Sequence, residues 1–258
     1  MTSILWLKRD LRLHDHPALA AAVEQAPGHG VLPVFVVDPV LVRSAGGARL
    51  AALHDALDGL RTATDGALVV RHGDPASVLP ALARESGAEA VHVSTETTPY
   101  GRRRDARVQD ALAEAGAGWA ETGSPYAVTP GRVRNASGQP YKVYTPFARA
   151  WRNHGWRRPA EVPRELRWSS GPSSEPLPEV PADAPADLPR VDEDAALERW
   201  HAFLEDDLAQ YADRRDRPDL DATSQLSVHL KYGTIHARTL LADLAEHPAG
   251  RTKGAQTF

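Results

Sequence analysis

The chain has 258 residues, of which 42% are hydrophobic, and a formal net charge of −4. That length suffices for one large or two modest domains, each with its own buried core. The absence of cysteine excludes disulfides, thiolate catalysis and cysteine-ligated metals. The eleven histidines show no HExxH-like spacing, so we predict no metal site.

The N-terminus, MTSILWLKRDLRL, carries charges where a signal peptide needs an apolar core. No apolar run approaches the roughly 20 residues that span a bilayer. We therefore expect a cytoplasmic protein that does not enter the membrane. We also expect a monomer. Arginines cluster at 101–105, 151–158 and 213–217, and each cluster is read either as a basic patch or as a solvated face mixed with acids.

The first 125 residues alternate short apolar runs with helical patterns, which is typical of βαβ units and a parallel sheet. The predicted strands are residues 3–7, 31–37, 67–71, 90–94 and 118–121. The predicted helices are residues 18–25, 49–64, 75–85 and 102–115. The fold class is thus α/β with a five-stranded, doubly wound parallel sheet. Ligands of such sheets bind at the carboxyl ends of the strands, so the loops after Leu7, Val37 and Ser94 are the expected rim of a site.

The first strand runs into Lys8-Arg9-Asp10-Leu11-Arg12 and not into GxGxxG. Without those glycines the backbone cannot approach a pyrophosphate, which argues against a nicotinamide dehydrogenase. Arg9, Asp10 and Arg12 are read either as ligand contacts or as ion pairs that lock the loop.

Residues 159–189 are rich in Pro, Ser, Glu and Asp, which predicts an extended connector. Helical periodicity resumes at 193, where an apolar stripe indicates a helix that faces a core. The stripe consists of Leu197, Trp200, Phe203, Leu204 and Leu208.

Three hydroxyls follow within five positions, from Thr223, Ser224 and Ser227. Hydroxyls and free N–H groups at a helix start attract anions, and Asp221 or Thr223 is the expected cap of that helix. Alternatively, these residues form an ordinary capped helix entrance.

Four collinear blocks resemble the cryptochrome/photolyase family of DNA photolyases. WLKRDLRLHDHPAL at 6–19 is similar to the opening block, although His16 stands where asparagine is commonest. PYGRRRDARV at 99–108 and GQPYKVYTPFARAW at 138–151 are similar to the next two. Residues 211–238 resemble the block that opens the flavin-binding domain.

The resemblance implies an α/β antenna domain at 1–130, an interdomain connector at 131–192 that is Pro-rich from 159, and the truncated start of an all-helical FAD-binding domain at 193–258. It implies a deoxyribodipyrimidine photolyase, which uses light and reduced FAD to split cyclobutane pyrimidine dimers in UV-damaged DNA. The alternatives are a blue-light-sensing cryptochrome without repair activity and a nucleotide-binding module of the universal-stress type. Ser94 to Thr98 lack the glycine-rich loop of the last class.

Carried over by position, the FAD-contacting residues are Tyr211, Thr223, Ser224, Gln225, Leu226 and Ser227. The hydroxyls and N–H groups are expected to bind the pyrophosphate, and Tyr211 to lie against the cofactor. None of these residues is assigned a catalytic role. Gly233 and Arg238 match a turn of the family and are read either as packing residues or as ligand contacts.

Asp38 and Arg49 match positions where relatives contact a deazaflavin antenna. Asp38 is alternatively a strand-end cap. A glutamate that often precedes PYG in relatives is Thr98 here, with Glu96 two positions earlier. This departure favours 8-hydroxy-deazaflavin over methenyltetrahydrofolate as the second chromophore. Because the family's later helices are missing after Phe258, we expect an incomplete fragment that binds FAD poorly and repairs nothing alone.

Overall fold

A computed structural model describes residues 2–258. Five parallel strands form one sheet in the order β3-β2-β1-β4-β5. They are β1 (Thr2–Leu7), β2 (Val31–Val37), β3 (Val69–His72), β4 (Ala88–Val93) and β5 (Gly118–Glu121). The predicted doubly wound α/β fold is confirmed, and each strand ends within two residues of its predicted limits.

Helices cover both faces of the sheet, as parallel crossovers require. They are α1 (Pro17–Gln25), α2 (Pro39–Arg43), α3 (Gly47–Ala63), α4 (Pro75–Ser86) and α5 (Pro99–Glu114). Helix α5 begins three residues earlier than predicted, because Thr98 accepts the Gly101 N–H as its cap and Pro99 suits the first helical position. The five-residue α2 is too short to give a periodic signal and was not predicted.

Two apolar cores lie on opposite faces of the sheet. One joins β1 and β2 to α1 and α3, with Leu5, Leu19 and Leu57 fully buried. The other joins the sheet to α4 and α5 and contains Trp6 and Val91. Because strands that are buried on both faces are continuous apolar runs, their positions could be predicted from the sequence.

The connector covers an exposed edge of the sheet. After helix α6 (Tyr144–His154), residues 155–192 contain no helix or strand, as their composition predicts. The Glu175 N–H donates to the Val70 carbonyl at 2.9 Å, and the Val70 N–H donates to the Ser174 hydroxyl at 2.9 Å. Because β3 is an edge strand, these bonds satisfy backbone groups that would otherwise pair with another chain.

The C-terminal region is helical. It comprises α7 (Glu193–Ala202), a π-helical turn (Phe203–Asp207), a 3-10 turn (Leu208–Gln210), α8 (Tyr211–Arg214), α9 (Ser227–Tyr232), α10 (Ala237–Glu246), a 3-10 turn (Pro248–Arg251) and α11 (Lys253–Thr257). Four residues of the predicted apolar stripe are buried in one core with Leu226 and Leu240, and the fifth, Leu197, packs against that core. The stripe is therefore structural, as its spacing indicates.

The loop after β1 fastens this helical region to the sheet. The Leu11 N–H donates to the Tyr232 carbonyl at 3.1 Å, and the buried Arg12 Nη1 donates to the Gly233 carbonyl at 3.0 Å. Gly233 has a left-handed φ of +71°, and a Cβ there would lie 2.0 Å from the Arg9 carbonyl oxygen. Gly233 is therefore required for packing.

A buried carboxylate completes this junction. Asp15 lies 2.8 Å from His236 Nδ1 and 3.1 Å from Arg238 Nε, and it accepts the Ala160 N–H at 2.8 Å. Burial alone would raise the pKa of Asp15, but the bonds from His236, Ala160 and Arg238 hold it below its usual value. Arg238 thus serves the packing of the junction. Asp10 lies 3.3 Å from His16 and does not pair with Arg9 or Arg12, so the predicted ion pairing within the loop is wrong.

Replacing Asp15 with alanine should cost about 3–5 kcal/mol of unfolding free energy, because Arg238 would remain buried without its partner. Urea denaturation measures this loss. The matched control is Asp213→Asn, which removes the exposed pair with Lys253 and should change stability by less than about 1 kcal/mol. Equal effects of the two substitutions would contradict the assigned role of Asp15.

His92 on β4 predicts an acid sensitivity. Its side chain is buried beside Leu5 of β1, and within residues 2–258 neither ring nitrogen has a hydrogen-bond partner. Burial lowers its pKa. In the unfolded chain His92 is protonated below about pH 6.5, whereas in the folded chain it stays neutral to a lower pH. The free energy of unfolding therefore falls as the pH drops below about 6.5.

The variant His92→Leu should take up about one proton fewer on acid unfolding, so its unfolding free energy should vary less steeply with pH than that of the wild type. Urea titrations across this range measure the slope. His14→Gln is the control, because a hydrogen bond to Glu193 raises the pKa of His14 and its contribution has the opposite sign. A His92→Leu slope equal to the wild type would show that His92 is hydrated.

Candidate functional site

A cavity of about 340 Å³ opens at the carboxyl ends of β1 and β2. Residues from the loops after these strands, from the start of α3 and α5 and from α9 line it. It lies where the loops after Leu7 and Val37 meet, which is the place predicted from the strand pattern. Both predicted antenna residues, Asp38 and Arg49, are among its lining residues.

An indole flanked by cations forms the closed end. The Arg104 guanidinium carbon and Lys8 Nζ each lie 4.8 Å from the centre of the Trp6 ring. Asp105 accepts from both cations, at 2.5 Å from Lys8 Nζ and 2.9 Å from Arg104 Nε. Burial lowers the pKa of Lys8, and Asp105 opposes that shift. This end therefore presents an indole wall beside two cations that share one carboxylate.

Asp38 performs two tasks. One carboxylate oxygen accepts the Val40 N–H at 2.9 Å and caps α2, while the other accepts the Tyr100 hydroxyl at 2.5 Å inside the cavity. Burial and then the bond to Asp38 raise the pKa of Tyr100 to about 12. The capping and site interpretations of Asp38 are thus compatible, and the pair of Asp38 and Tyr100 gives the cavity a polar wall.

The Glu96 side chain bonds to backbone groups of its own loop. Its carboxylate accepts the Thr97 N–H at 2.7 Å and the Thr98 N–H at 2.9 Å. Burial alone would raise the pKa of Glu96, but these bonds, together with Arg9 and Lys8, hold it below its usual value. Gly101 is required here, since a Cβ at that position would lie 2.0 Å from Glu96 Cγ.

Cations line the mouth. Arg9, Arg49 and Lys231 line the cavity, and of these Arg49 and Lys231 are exposed. The Tyr232 hydroxyl donates to the Arg49 carbonyl at 2.6 Å, which fixes α9 against the start of α3. Sequence analysis missed Lys231, Tyr100 and Arg104 as site residues. The PYGRRRD block contained Tyr100 and Arg104, but only the packing of α9 against α3 places Lys231 at this cavity.

The predicted FAD-contacting residues lie elsewhere, on the helical region. Tyr211 packs edge-on against Phe203 and Phe258, with ring centres 5.4 Å and 5.5 Å away. Leu226 is buried in the helical core, so only its backbone is available to a ligand. The hydroxyls of Thr223, Ser224 and Ser227 form no hydrogen bond within the described part of the chain. Of the predicted residues, Thr223 and Gln225 border an open groove, whose other walls come from residues 215–221.

The expected helix cap is wrong. Helix α9 begins at Ser227 with Leu226 in the cap position and no side-chain cap. Asp221 instead pairs with Arg199 at 3.2 Å and with the Gln225 amide. Arg199 also donates to the carbonyl oxygens of Thr223 at 2.6 Å and Ser224 at 3.1 Å. Arg199 therefore shapes this segment, with Gln225 at a positive φ of +51°.

Two features that would indicate other functions, a membrane-spanning helix and a metal site, are absent from residues 2–258. None of their helices is both long and apolar enough to cross a membrane. No group of three or more His, Cys, Asp or Glu in this part of the chain is arranged to hold a metal ion.

Comparison with known proteins gives a consistent result. The DNA photolyase family model matches residues 3–165. A deoxyribodipyrimidine photo-lyase from Halobacterium salinarum is 37% identical over 255 residues, which cover 92% of this chain and 53% of the relative. A class III photolyase from Agrobacterium tumefaciens superposes with a TM-score of 0.82 at 32% identity, covering 94% of this chain and 52% of that one.

A cryptochrome from Synechocystis shares the fold, with a TM-score of 0.85 at 20% identity over 99% of this chain and 58% of that one. The chain thus spans about half the length of each of these three proteins.

Proposed function

Because the chain belongs to the DNA photolyase family, we propose that it supplies the antenna chromophore site and one face of the FAD site of a light-driven enzyme that repairs pyrimidine dimers in UV-damaged DNA. The observation that carries this proposal is the cavity at the ends of β1 and β2, which both antenna residues border. The domain limits remain those proposed from the sequence.

The cavity fits a flat aromatic ring system. Its volume of about 340 Å³ lies within the range of small-molecule sites, and its walls are mainly apolar with a few polar groups. Asp38 and Tyr100 offer a fixed polar contact, and Trp6 closes the far end. We propose a deazaflavin- or flavin-type ring over a folate, because Thr98 caps α5 and Glu96 is already used by its own loop.

The second cofactor is FAD, which when bound and reduced donates an electron on illumination. The residues present fit its pyrophosphate in part. Thr223, Ser224 and Ser227 offer hydroxyls without internal partners, and Arg199 holds their segment in place. We propose that these groups bind and orient the pyrophosphate. Tyr211, which packs against Phe203, supports the segment that carries these hydroxyls.

The antenna proposal predicts that the purified chain binds one equivalent of 8-hydroxy-5-deazariboflavin, and binds methenyltetrahydrofolate about tenfold more weakly or worse. Fluorescence titration measures both affinities. Ala45→Trp, which places an indole in the cavity, should weaken ring binding by about tenfold or more.

Ala48→Trp is the matched control, since Ala48 is exposed on α3 and does not border the cavity. It should leave binding unchanged. If the folded chain bound no ring compound, the antenna role would be contradicted. If the chain retained stoichiometric FAD after purification, the proposal that it provides only one face of the FAD site would be contradicted.

A further inference from the structure

We propose that residues 141–158, called here the aromatic segment, bind residues 179–189 of a second copy of this chain, called here the acidic strip. The aromatic segment contains helix α6 and the turn after it, and the acidic strip belongs to the connector. The proposal concerns neither the cavity nor the FAD-contacting residues and does not depend on the proposed function. It replaces the monomer expected from the sequence with a reversible dimer.

Helix α6 lies on the protein without a covering surface. Among the helices of eight or more residues in the described chain, it alone has no buried residue. Val143, which precedes the helix, is 62% exposed, and Tyr144 is 77% exposed. Phe147 and Trp156 are exposed as well. Exposed apolar side chains that cluster on one segment mark an interaction surface.

The aromatic segment is cationic and has no acids of its own. No Asp or Glu occurs from residue 122 to residue 160. The cations of the segment are all exposed, and they are Lys142, Arg149, Arg152, Arg157 and Arg158. None of them pairs with a carboxylate within 4.0 Å in the part of the chain that the structure describes. Aromatic residues and arginines are enriched in protein–protein interfaces, whereas Asp and Glu are depleted there.

The arginine cluster at 213–217 shows the contrast. There Arg217 pairs with Asp219 at 2.5 Å, as expected for a solvated face mixed with acids. The cluster at 151–158 has no such partner within residues 2–258, so it forms a basic patch.

The acidic strip has the opposite charge. Its sequence, EVPADAPADLP, contains Glu179, Asp183 and Asp187 and no cation. All three acids are exposed, and none pairs with a cation within residues 2–258. Val180 and Leu188 are 44% and 36% exposed, which places apolar anchors between the charges. The two segments are therefore complementary in charge, and both expose apolar side chains.

Helix α3 holds the acidic strip at both ends. His54 Nδ1 lies 2.9 Å from the Pro178 carbonyl oxygen just before the strip, and the Val191 N–H donates to Asp55 just after it. Between these anchors three prolines restrict the backbone. A segment that is already ordered loses less entropy on binding, and proline-rich segments bind to aromatic-lined surfaces. The strip is therefore suited to the aromatic segment.

The arrangement of the aromatic rings favours a protein partner over a nucleic acid. Trp151 and Trp156 stack on each other, with ring centres 4.7 Å apart and planes at 28°, so each already uses one face. A nucleic acid binds through cations and free aromatic faces, and would leave the exposed Val143 uncovered. Val180 and Leu188 of the acidic strip can cover it.

The contact forms between copies. Within one chain, no hydrogen bond or ion pair joins the two segments in residues 2–258. Between two copies, each aromatic segment receives the acidic strip of the other, so the same contact forms twice. Such a reciprocal pair of contacts closes a two-fold dimer.

Sedimentation velocity of the whole chain over a range of concentrations tests the proposal. We expect a monomer–dimer equilibrium with a micromolar dissociation constant, which should rise about tenfold when NaCl increases from about 0.05 M to about 0.5 M. Arg149→Glu/Arg152→Glu and Asp183→Lys/Asp187→Lys each place like charges at the contact, so each variant alone should stay monomeric. An equimolar mixture of the two variants should associate, because opposite charges again face each other at both contacts.

Arg102→Glu/Arg103→Glu is the matched control, since both arginines are exposed on α5 and lie outside both segments. It changes the net charge by the same amount as the Arg149 and Arg152 variant and should leave the dimer unchanged. A wild type that stays monomeric up to about 100 μM, a mixture that does not associate, or a control that abolishes the dimer would each overturn the proposal. Oligothymidylate that binds a monomeric wild type but not the Arg149→Glu/Arg152→Glu variant would overturn it in favour of a nucleic-acid surface.

Discussion

The structure depends on the loop after β1, whose buried charged groups join the sheet to the helical region. Arg12 reaches the Gly233 carbonyl, and Asp15 lies between His236 and Arg238. Such groups stabilise a fold only when every partner is present, because a buried charge that loses its partner lowers the free energy of unfolding by about 3–5 kcal/mol. Their completeness here fixes one orientation of α9 and α10 relative to the sheet.

That orientation builds the site. Fixing α9 brings Tyr232 against the start of α3 and sets Lys231 beside Arg49 at the cavity mouth. The sheet contributes the apolar walls and the polar pair of Asp38 and Tyr100. The cavity is thus a product of two regions distant in sequence.

The sequence predicted the sheet well because buried parallel strands are continuous apolar runs separated by helical patterns. Asp38 and Arg49 were predicted through a family resemblance and lie together at the cavity. Lys231 was missed because nothing local distinguishes it; only the docking of α9 gives it a neighbour. The predicted cap of α9 failed for a similar reason, since Arg199, more than twenty positions earlier, engages Asp221 and redirects the segment.

The most direct test of the central claim, a cavity that holds the antenna ring, is a crystal structure of the chain grown with 8-hydroxy-5-deazariboflavin. The account predicts the deazaflavin ring between Trp6 and Tyr100, in the cavity that Asp38 and Arg49 border. Deazaflavin density only outside the cavity, or an empty cavity in a folded chain, would contradict it.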